Sequence, residues 1–499
     1  MLPTRSRECC SDRPDCTSGR RFPHTGKARR TATAQLPSRG TAAGGMSGRR
    51  VLVAGAGLAG SLAAIHFAQL GHRVEIHERR PDPRGAGAGG GRSINLGLSQ
   101  RGIRALDQVG LLDPVLAAAA PMRGRVIHQR DGELDFQPYG SHEDQILRSV
   151  LRDDLNRILL AKALEYPNVS ARFGVTLTDL DRGSAAEEPV CTFDSASGPY
   201  HASADLVVGA DGAFSAVRTR LLRGLPADFR QRVLPWGYKE FAIAAGPSGD
   251  VRSSPDALHV WPGDDGLIVA HPNVNGSLTA TVFLPLSGEQ SFATLTTEDS
   301  VRALFDTRFP DVRRLVPDIV EQFLSHPTGH LVTVRSSPWQ HEGRVVLIGD
   351  AAHAVYPFYG QGMNSALEDC AVLRECLAND DWAEALRAFE RRRKPHTDVL
   401  ADLSEENFDE LRSRVASPLF LARKKADLVL SRVFPKRWMP LYTMVSHTTI
   451  PYADALRRAR RQHAALAWGS GAAALALALT GGALARGKAA GPHSPGDRS

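Results

Sequence analysis

RVLVAGAGLAGSLAAIHFAQLGHRVEIHE, residues 50–78, contains every part of a dinucleotide-binding βαβ unit in chain order. The apolar run Val51–Ala54 predicts a buried strand, and the string GAGLAG that follows it opens a predicted helix. A second predicted strand, Val74–His77, leads into an acid, Glu78. A G-x-G-x-x-G string alone is a weak signal in a chain with 46 glycines, but here two strands, a helix and an acid surround it. The stretch therefore predicts a Rossmann-like domain that binds FAD or NAD.

The glycines of this string meet different steric requirements. Gly55 permits a tight turn, Gly57 lets a pyrophosphate approach the backbone, and Gly60 brings the helix close to the strand. The diphosphate can then bind at the helix N-terminus, where N–H groups and the helix dipole favour an anion. Glu78, eighteen residues past Gly60, suits the ribose hydroxyls. The predicted dinucleotide contacts are Gly55, Gly57, Leu58, Ala59, Gly60, Glu78 and Arg79.

The net charge of +7 belongs to the two ends of the 499-residue chain. Residues 1–45 hold nine Lys and Arg against three Asp and Glu, and residues 457–499 hold seven against one. The body between them, 46–456, has 45 basic and 50 acidic residues and is mildly acidic. This distribution argues against a nucleic-acid-binding surface on the folded part.

The six cysteines favour a reducing compartment, and we expect a cytoplasmic protein. Three of them lie in the N-terminal tail, and the body has only Cys191, Cys370 and Cys376. These three have neither metal-ligand spacing nor the density of a disulfide framework, so we predict buried thiols and no metal site.

Both ends of the chain differ in composition from the body. Residues 1–45 lack apolar periodicity, so we expect a disordered extension and hypothesise that translation starts at Met46. Residues 464–485 contain no charge and are long enough to span a membrane, but they are mostly Ala and Gly. Two predictions stay open for this segment: a membrane anchor, or a surface-lying or disordered tail. We expect 486–499 to be disordered.

Two further predicted strands each end beside an acid and a glycine. The run ADLVVGADG ends at Asp211-Gly212, and RVVLIGDAAH contains Gly349-Asp350. Between them, short β-rich runs predict an antiparallel sheet, which we place at about 230–340 and expect to bind substrate. Period-3.6 patterns then predict a helical region over about 378–463, including separate helices at 382–393 and 397–415.

Together, the G-x-G-x-x-G, Asp211-Gly212 and Gly349-Asp350 segments resemble, in this order, the FAD-dependent aromatic hydroxylases that use a single nucleotide-binding domain. The resemblance implies an α/β fold: a Rossmann-like FAD-binding domain, an interleaved antiparallel-sheet substrate domain and a helical C-terminal region. It also implies bound FAD, NADPH and O2 as co-substrates, and no separate NADPH domain. In this family the GD acid contacts the ribityl chain of FAD, and the DG motif serves both FAD and NADPH.

The loop after Asp350 adds a physical argument for flavin. The string PFYGQGMN, residues 357–364, is a Pro- and Gly-rich loop that leads directly into a predicted helix. Backbone N–H groups of Met363 and Asn364 at the helix start would face the flavin pyrimidine edge, where reduced flavin carries negative charge. The helix dipole and these hydrogen bonds would stabilise that charge. His353 lies nearby, and we predict a structural role for it rather than a catalytic one.

Six separated strings narrow the resemblance to one branch of these hydroxylases, whose substrate is an aromatic amino acid. They are GRSINL at 91–96, PMRGRVIH at 121–128, QPYG at 137–140, GDAAHA with PFYGQGMN at 349–364, DLSEEN at 402–407 and PLYTMV at 440–445. Arg125 and Tyr139 match the pair that holds the substrate carboxylate, which suits the permanent charge and planar fork of Arg. The other matching substrate contacts are Asn407, Tyr442, Pro357 and Phe358. Besides the glycine string and its acid, the implied FAD contacts are Arg152, Leu177, Asp211, Gly349, Asp350, Gly362, Met363 and Asn364.

Two other interpretations stay open at this point. One is a hydroxylase of a different aromatic substrate in a biosynthetic pathway. The other is a flavin-fold binding protein without turnover, which the intact loop at 357–364 disfavours. A flavin halogenase is disfavoured because the WxWxIP string is absent from the sequence. No residue is assigned as a catalytic acid, base or nucleophile.

Overall fold

The computed structural model describes residues 48–85, 94–129, 131–140, 142–184, 186–246, 254–263, 265–378, 381–410, 426–427, 429–434 and 437–466. The predictions for 1–45, for 486–499 and for most of 464–485 therefore lie outside the described residues. Among the described residues, no helix has both the length and the apolar character needed to cross a bilayer.

The strands, in chain order, are β1 Arg50–Ala54, β2 Arg73–Glu78, β3 Asn95–Leu98, β4 Ala119–Met122, β5 Gly124–His128, β6 Leu134–Pro138, β7 Leu147–Leu151, β8 Val169–Phe173, β9 Thr176–Asp181, β10 Val190–Asp194, β11 Tyr200–Ser203, β12 Leu206–Gly209, β13 Asp228–Ile243, β14 Ala257–Trp261, β15 Leu267–Pro272, β16 Leu278–Pro285, β17 Gly329–Ser337, β18 Gln340–His341 and β19 Val345–Leu347. The helices are α1 Leu58–Gln69, α2 Gln100–Asp107, α3 Leu112–Ala117, α4 Arg152–Leu164, α5 Ala216–Leu221, α6 Glu298–Arg308, α7 Pro310–Leu315, α8 Ile319–Ser325, α9 Asp350–His353, α10 Gly362–Cys376, α11 Trp382–Asp409 and α12 Leu441–His447. A 3-10 turn covers Pro357–Tyr359, and a last helix covers 452–466.

A six-stranded sheet in the order β18-β19-β12-β1-β2-β8 forms the nucleotide-binding half. Its pairs are parallel except β18–β19, as expected for strands joined by βαβ crossovers. The central strand β1 is buried along Val51–Ala54. Helix α1 packs on β1, and α4 and α10 pack against α1. The three strands that precede the glycine string, the DG dipeptide and the GD dipeptide are neighbours here. Parallel alignment therefore brings all three motifs to one edge of the sheet.

A seven-stranded sheet in the order β17-β13-β16-β15-β14-β5-β6 forms the half that the sequence predicts to bind substrate, called the substrate half below. It is antiparallel except for β14–β5. The predicted sheet at about 230–340 is present, but the observed one also includes β5 and β6, which come a hundred residues earlier in the chain. Because β5 carries Arg125, this addition places that residue in the substrate half.

The two faces of this sheet pack against different partners. On β16, Leu278, Ala280, Val282 and Leu284 alternate onto one face and form a core with α6, α7 and α8. Phe283 points to the other face, where it packs with residues of the loop at 357–359 and of α11. This second face lies towards the candidate site.

The helical C-terminal region differs from the prediction in one respect. Separate helices at 382–393 and 397–415 are wrong, because α11 runs unbroken from Trp382 to Asp409 with Pro395 inside it. A proline inside a helix removes one backbone hydrogen bond and normally kinks or ends the helix. Here Phe389 and Leu400, on either side of the proline, are both fully buried. Their burial stabilises the continuous helix and outweighs the cost of the proline.

Candidate active site

The glycine string forms the turn between β1 and α1. Gly55 has φ +104°, and a Cβ there would lie 2.5 Å from the carbonyl oxygen of Ala210. A Cβ on Gly60 would lie 2.0 Å from the carbonyl oxygen of Gly55, whereas a Cβ on Gly57 would meet nothing within 4 Å. Gly55 and Gly60 are thus required by the fold, and Gly57 faces open space. Since α1 has no side-chain cap at Gly57, this turn fits a diphosphate bound at the helix N-terminus.

Glu78 ends β2 beside this turn and is buried. Its carboxylate accepts a 2.8 Å hydrogen bond from the N–H of Ala56 and two of 2.9 Å from the backbone N–H and Nε of Arg80. Burial raises the pKa of Glu78, but the hydrogen bonds from Arg80 and Ala56 outweigh it and leave the pKa below its usual value. A fixed, ionised acid next to the glycine turn suits a ribose hydroxyl pair. Arg79 follows it in an exposed position.

Asp211, the acid of the DG dipeptide, forms hydrogen bonds with the start of α5. Asp211 accepts a 2.5 Å hydrogen bond from Ser215 Oγ and bonds of 2.7 and 3.1 Å from the N–H groups of Ala216 and Val217 at the start of α5. Burial raises the pKa of Asp211, and these hydrogen bonds oppose the rise. Its contact with FAD stays a prediction, as does that of Leu177, a half-buried residue on β9.

The GD dipeptide forms the turn between β19 and α9. Gly349 has φ +58°, a left-handed conformation that favours glycine, and a Cβ there would lie 3.3 Å from Ala59 of α1. Asp350 begins α9 and is exposed. The turn therefore packs against the start of α1, and Asp350 is accessible to a ligand that lies along this edge of the sheet.

The loop at 357–364 joins the two halves of the site. Gly360 ends the 3-10 turn with φ +67°, and α10 begins at Gly362. The side chain of Gln361 accepts hydrogen bonds from Ser99 and Tyr452 instead of capping α10. The first-turn N–H groups of α10, including that of Met363, are therefore not capped by this side chain and fit the predicted flavin contact.

The side-chain amide of Asn364 makes its hydrogen bonds within the protein. Its Oδ1 accepts a 2.9 Å hydrogen bond from the N–H of Ser99, and its Nδ2 donates to the carbonyl oxygens of Gly97 and Gly360 at 2.8 and 3.0 Å. These bonds attach α10 to the segment between β3 and α2. A flavin contact by Asn364 would therefore use its backbone, as the sequence predicts.

Three of the predicted substrate residues, Arg125, Tyr139 and Tyr442, meet beside this loop. The ring of Tyr442, on α12, stacks on Tyr139 with centroids 5.6 Å apart and lies 5.9 Å from the ring of Tyr359. Arg125, on β5, donates from Nε to Gln137 Oε1 at 3.1 Å. Burial raises the pKa of both Tyr139 and Tyr442, while the Arg125 charge acts on both phenols to lower it. The two phenols stay neutral donors near a permanent cation.

An aromatic wall continues from this group to the flavin loop. The ring of Phe358 lies 4.4 Å from that of Phe408 and 5.3 Å from that of Phe283. Asn407 donates from Nδ2 to the carbonyl oxygen of Phe358 at 2.7 Å, which fixes the loop against α11. Pro357 begins the same 3-10 turn. The wall can pack an aromatic ring next to the start of α10.

Arg152 occupies a different position from the other predicted cofactor residues. It is the first residue of α4, its N–H donates to the carbonyl oxygen of Ile94 at 3.0 Å, and its side chain is exposed. Burial raises the pKa of Tyr238 on β13, and the charge of Arg152 opposes this rise. Arg152 therefore lies where the two halves meet, and its FAD contact stays a prediction.

Sequence reasoning missed a buried charge cluster behind the GD turn. Asp369 of α10 accepts a 2.6 Å hydrogen bond from His353 and a 2.7 Å bond from Nε of Arg393. The only signal in the sequence is two adjacent acids, Glu368 and Asp369, in a helix whose other positions are largely apolar. His353 thus contacts a protein acid, and the structural role expected for it stays a prediction.

The fold and this site define the class of protein. A family model described as FAD binding domain matches residues 49–404. The chain is 56% identical over 440 residues to the kynurenine 3-monooxygenase of Salinispora arenicola, a match that covers 87% of this chain and 96% of that protein. It is 45% identical over 404 residues to the kynurenine 3-monooxygenase of Myxococcus xanthus, covering 81% and 86%. The chain therefore belongs to the kynurenine 3-monooxygenase family of flavoprotein monooxygenases.

Solved structures support the same architecture at lower identity. A tetrameric form of 2-methyl-3-hydroxypyridine-5-carboxylic acid oxygenase superposes with a TM-score of 0.60 at 23% identity, over 75% of this chain and 95% of that one. A single-residue variant of Klebsiella pneumoniae HpxO, in complex with FAD, gives a TM-score of 0.60 at 21% identity, over 77% of this chain and 96% of that one. These matches concern the fold alone. The predicted fold class and the resemblance to FAD-dependent hydroxylases are confirmed.

Proposed function

We propose that this chain hydroxylates L-kynurenine to 3-hydroxy-L-kynurenine, with NADPH and O2 as co-substrates. The observation that carries the proposal is the grouping of Arg125, Tyr139 and Tyr442 beside the aromatic wall of Phe358. A substrate with a carboxylate at one end and an aryl ring at the other matches this arrangement. The two related kynurenine 3-monooxygenases suggest kynurenine as the particular aryl amino acid.

The dinucleotide turn and the start of α10 would hold FAD. The N-terminus of α1 at Gly57 would bind the diphosphate, and Glu78 the adenosine ribose. Asp350 would reach the ribityl chain, and the backbone N–H groups of Met363 and Asn364 would donate to the pyrimidine edge. When bound, FAD supplies the redox chemistry that couples NADPH oxidation to transfer of one oxygen atom from O2 to the substrate.

On the substrate side, the protein binds, orients and excludes water. Arg125 would pair with the carboxylate through its fork of N–H donors, and the neutral phenols of Tyr139 and Tyr442 would add hydrogen bonds. Phe358 and Phe408 would pack against the substrate ring. They would hold the ring carbon next to the aryl amine so that it faces the start of α10. The amine makes this carbon electron-rich, so orientation is the main task left to the protein. We assign no general base.

We expect no dedicated NADPH-binding domain, as the resemblance implies. The six-stranded sheet presents one set of dinucleotide motifs, and we assign that set to FAD because the DG and GD segments complete it. We propose that the DG loop at Asp211 also contributes to NADPH binding. A preference for NADPH over NADH in steady-state kinetics is the expected result.

The deciding experiment measures NADPH oxidation by the purified protein with and without L-kynurenine. We expect kynurenine to stimulate oxidation and the product to be heavier by one oxygen atom, which 18O2 labels and H2(18O) does not. L-tryptophan and anthranilate serve as comparison substrates because each lacks part of the kynurenine structure. Stimulation by either of these with a labelled product would favour a different aromatic substrate. A protein that binds FAD but never oxidises NADPH would contradict the proposal as a whole.

We also propose a cytoplasmic location, with the apolar segment 464–485 as a membrane contact. The cysteine content supports the first statement and the uncharged length of the segment the second. Fractionation of expressing cells, with full-length protein compared with a version ending at residue 463, tests both. Equal amounts of the two proteins in the membrane fraction would contradict the membrane contact.

A further inference from the structure

Five ionisable groups, four of them buried and one half-buried, lie together behind the loop at 357–364. They are Arg101 of α2, His353 of α9, Glu368 and Asp369 of α10, and Arg393 of α11. Arg101, His353, Asp369 and Arg393 are all at most 5% exposed. Charges taken out of water must be paired and hydrogen-bonded, and even a well-paired buried group adds little net stability compared with apolar residues. A cluster of this size therefore needs a reason other than stability.

Asp369 lies at the centre of the cluster. Its Oδ2 accepts hydrogen bonds from the backbone N–H of Gly349 at 2.9 Å and from Nε2 of His353 at 2.6 Å. Its Oδ1 accepts from Nε of Arg393 at 2.7 Å. One carboxylate on α10 thus fixes both ends of the turn that carries Asp350: Gly349 before it and His353 at the end of α9.

Arg393 fixes the other side of α10. Its Nη1 donates to Glu368 at 2.5 Å, and its Nη2 donates to the carbonyl oxygen and Oγ of Ser365 at 3.1 and 2.9 Å. Ser365 lies in the first turn of this helix, directly after Asn364. The guanidinium therefore locks the helix start whose N–H groups face the predicted flavin edge.

Arg101 connects the same cluster to the C-terminal part of the chain. It donates to Glu368 at 2.7 Å and to the carbonyl oxygen of Ile450, and its guanidinium lies 4.0 Å from the ring centroid of Tyr452. Tyr452 in turn donates to Gln361 before α10. The cluster thus connects α10 with α2, α9, α11 and the helix at 452–466.

We propose that Asp369 is a positioning residue for FAD, holding the Gly349-Asp350 turn and the start of α10 at a fixed separation. This inference rests on FAD binding as described under the proposed function. The two segments supply separate predicted contacts to one ligand, at the ribityl chain and at the pyrimidine edge. Asp369 bridges them through side-chain bonds to one and its own helix backbone to the other. Precise ligand contacts depend on such supporting hydrogen bonds, as metal sites show for the groups behind their ligands.

The test compares Asp369→Asn with a matched control, Asp311→Asn. An asparagine keeps the shape but cannot accept from Gly349, His353 and Arg393 together. Asp311 is also partly buried and accepts a 2.5 Å bond from Trp261 Nε1, but it lies on α7, packed on the far face of the substrate sheet. FAD release from each diluted holoenzyme is followed by the gain in flavin fluorescence, well below the melting temperature of each variant. The visible flavin spectrum is recorded beside it.

We expect Asp369→Asn to raise the FAD dissociation constant by roughly 10- to 100-fold, the size of one or two hydrogen bonds to a charged group. The flavin spectrum should shift, because the helix start moves relative to the isoalloxazine. Asp311→Asn should lower the melting temperature without changing either readout. Unchanged FAD affinity and spectrum in Asp369→Asn would overturn the inference and leave a purely structural cluster.

A second variant covers the case in which Asp369→Asn does not fold. Arg393→Lys keeps the charge but loses the planar fork to Asp369 and Glu368, so FAD release should be faster by a smaller factor than for Asp369→Asn. FAD release at the wild-type rate in this variant would overturn the inference. Failure of the wild-type protein itself to bind FAD is a separate result, because it would overturn the proposed function.

Discussion

The nucleotide half and the substrate half recognise their ligands by different means. In the nucleotide half, backbone groups at a sheet edge supply many of the predicted contacts, at the turn at Gly57 and the start of α10, beside the side chains of Glu78 and Asp350. In the substrate half, the predicted contacts are mostly side chains, and some come from segments far apart in the chain, such as Arg125 and Tyr442. Backbone recognition depends on conformation and free space, whereas side-chain recognition depends on single functional groups.

This difference teaches where substitutions act. A residue that supplies only backbone can be replaced until its new side chain occupies the ligand space. A residue that supplies a guanidinium or a phenol loses its contact with the first substitution, while the fold around it is unchanged. Variants in the two halves should therefore have different effects. Those in the nucleotide half should change FAD affinity, and those in the substrate half should change the KM for the amino acid.

The largest effect that we expect is the loss of FAD affinity in the Gly57→Asp variant. The new Cβ meets no protein atom within 4 Å, so the fold should persist, but a carboxylate would lie where the diphosphate binds. Two like charges about 4 Å apart repel by about 4 kcal/mol at an effective dielectric constant near 20. FAD affinity should fall by about a thousandfold. Flavin content per protein after purification measures this directly.

Gly57→Ala and Gly60→Ala are the matched comparisons for this variant. Gly57→Ala adds a methyl group to open space and should reduce FAD affinity without affecting the melting temperature of the FAD-free protein. Gly60→Ala places a Cβ 2.0 Å from the Gly55 carbonyl oxygen and should destabilise the fold itself by about 1–3 kcal/mol. A Gly57→Asp protein that purifies with a full complement of FAD would show that the diphosphate binds elsewhere.

The second-largest expected effect is the loss of kynurenine affinity in the Arg125→Ala variant. Loss of hydrogen bonds to a charged carboxylate should weaken kynurenine binding by about 1.5–3 kcal/mol, and FAD affinity should stay the same. Arg123→Ala is the control: Arg123 lies two residues away but is exposed and pairs with Asp256 at 3.1 Å. Substrate titrations of the holoenzymes measure both. Equal kynurenine affinity in the Arg125 and Arg123 variants would remove Arg125 from the proposed site.

Much of the nucleotide half could be predicted from the sequence because its signals are local. The strand, the turn and the acid at Glu78 lie within thirty residues, and each glycine has a steric reason that adjacent sequence reveals. The substrate residues could be predicted only through the resemblance. Arg125 is separated from Tyr442 by more than three hundred residues, and nothing in the sequence around either one indicates their proximity.

Two of the features that sequence reasoning missed, the unbroken α11 and the buried ion pair, depend on tertiary contacts. The unbroken helix α11 passes through Pro395 because burial on both sides outweighs a local penalty. The ion pair between Asp369 and Arg393 joins two helices across 24 residues, and their charges alone predict exposed positions. In both cases the local signal points away from the observed structure, since packing of distant segments determines the outcome.

Acid sensitivity should be common to both halves. Burial lowers the pKa of His66 on α1 to about 3, with a further contribution from Arg374, and burial alone lowers that of His271 on β15 to about 4. The unfolded chain, with a usual His pKa near 6.5, binds protons more readily than the folded one. Stability is therefore complete above about pH 6.5 and is lost as the pH falls towards 3 for His66 and towards 4 for His271.

The His66→Leu variant isolates one of these groups. Because His66 stays neutral in the folded protein, it lowers the free energy of unfolding by about 2 kcal/mol between pH 7 and pH 5. The His66→Leu variant should therefore lose about 2 kcal/mol less stability than the wild-type protein over that range. Urea unfolding of both proteins at pH 7 and pH 5 measures the difference. Identical losses would mean that the His66 site admits a proton at little cost. FAD affinity at pH 7 should be the same in both proteins.

The smallest expected effect is that of Tyr442→Phe, and it tests the division between the halves most finely. The ring that stacks on Tyr139 stays, and only the hydroxyl is lost, so the KM for kynurenine should rise by an amount equivalent to about 0.5–1.5 kcal/mol. Tyr166→Phe is the matched control in the nucleotide half, where the hydroxyl accepts a 3.0 Å bond from Gln69. It should change neither the KM nor FAD release. A Tyr442→Phe protein with a wild-type KM would mean that Tyr442 contributes its ring alone and that Arg125 and Tyr139 hold the carboxylate by themselves.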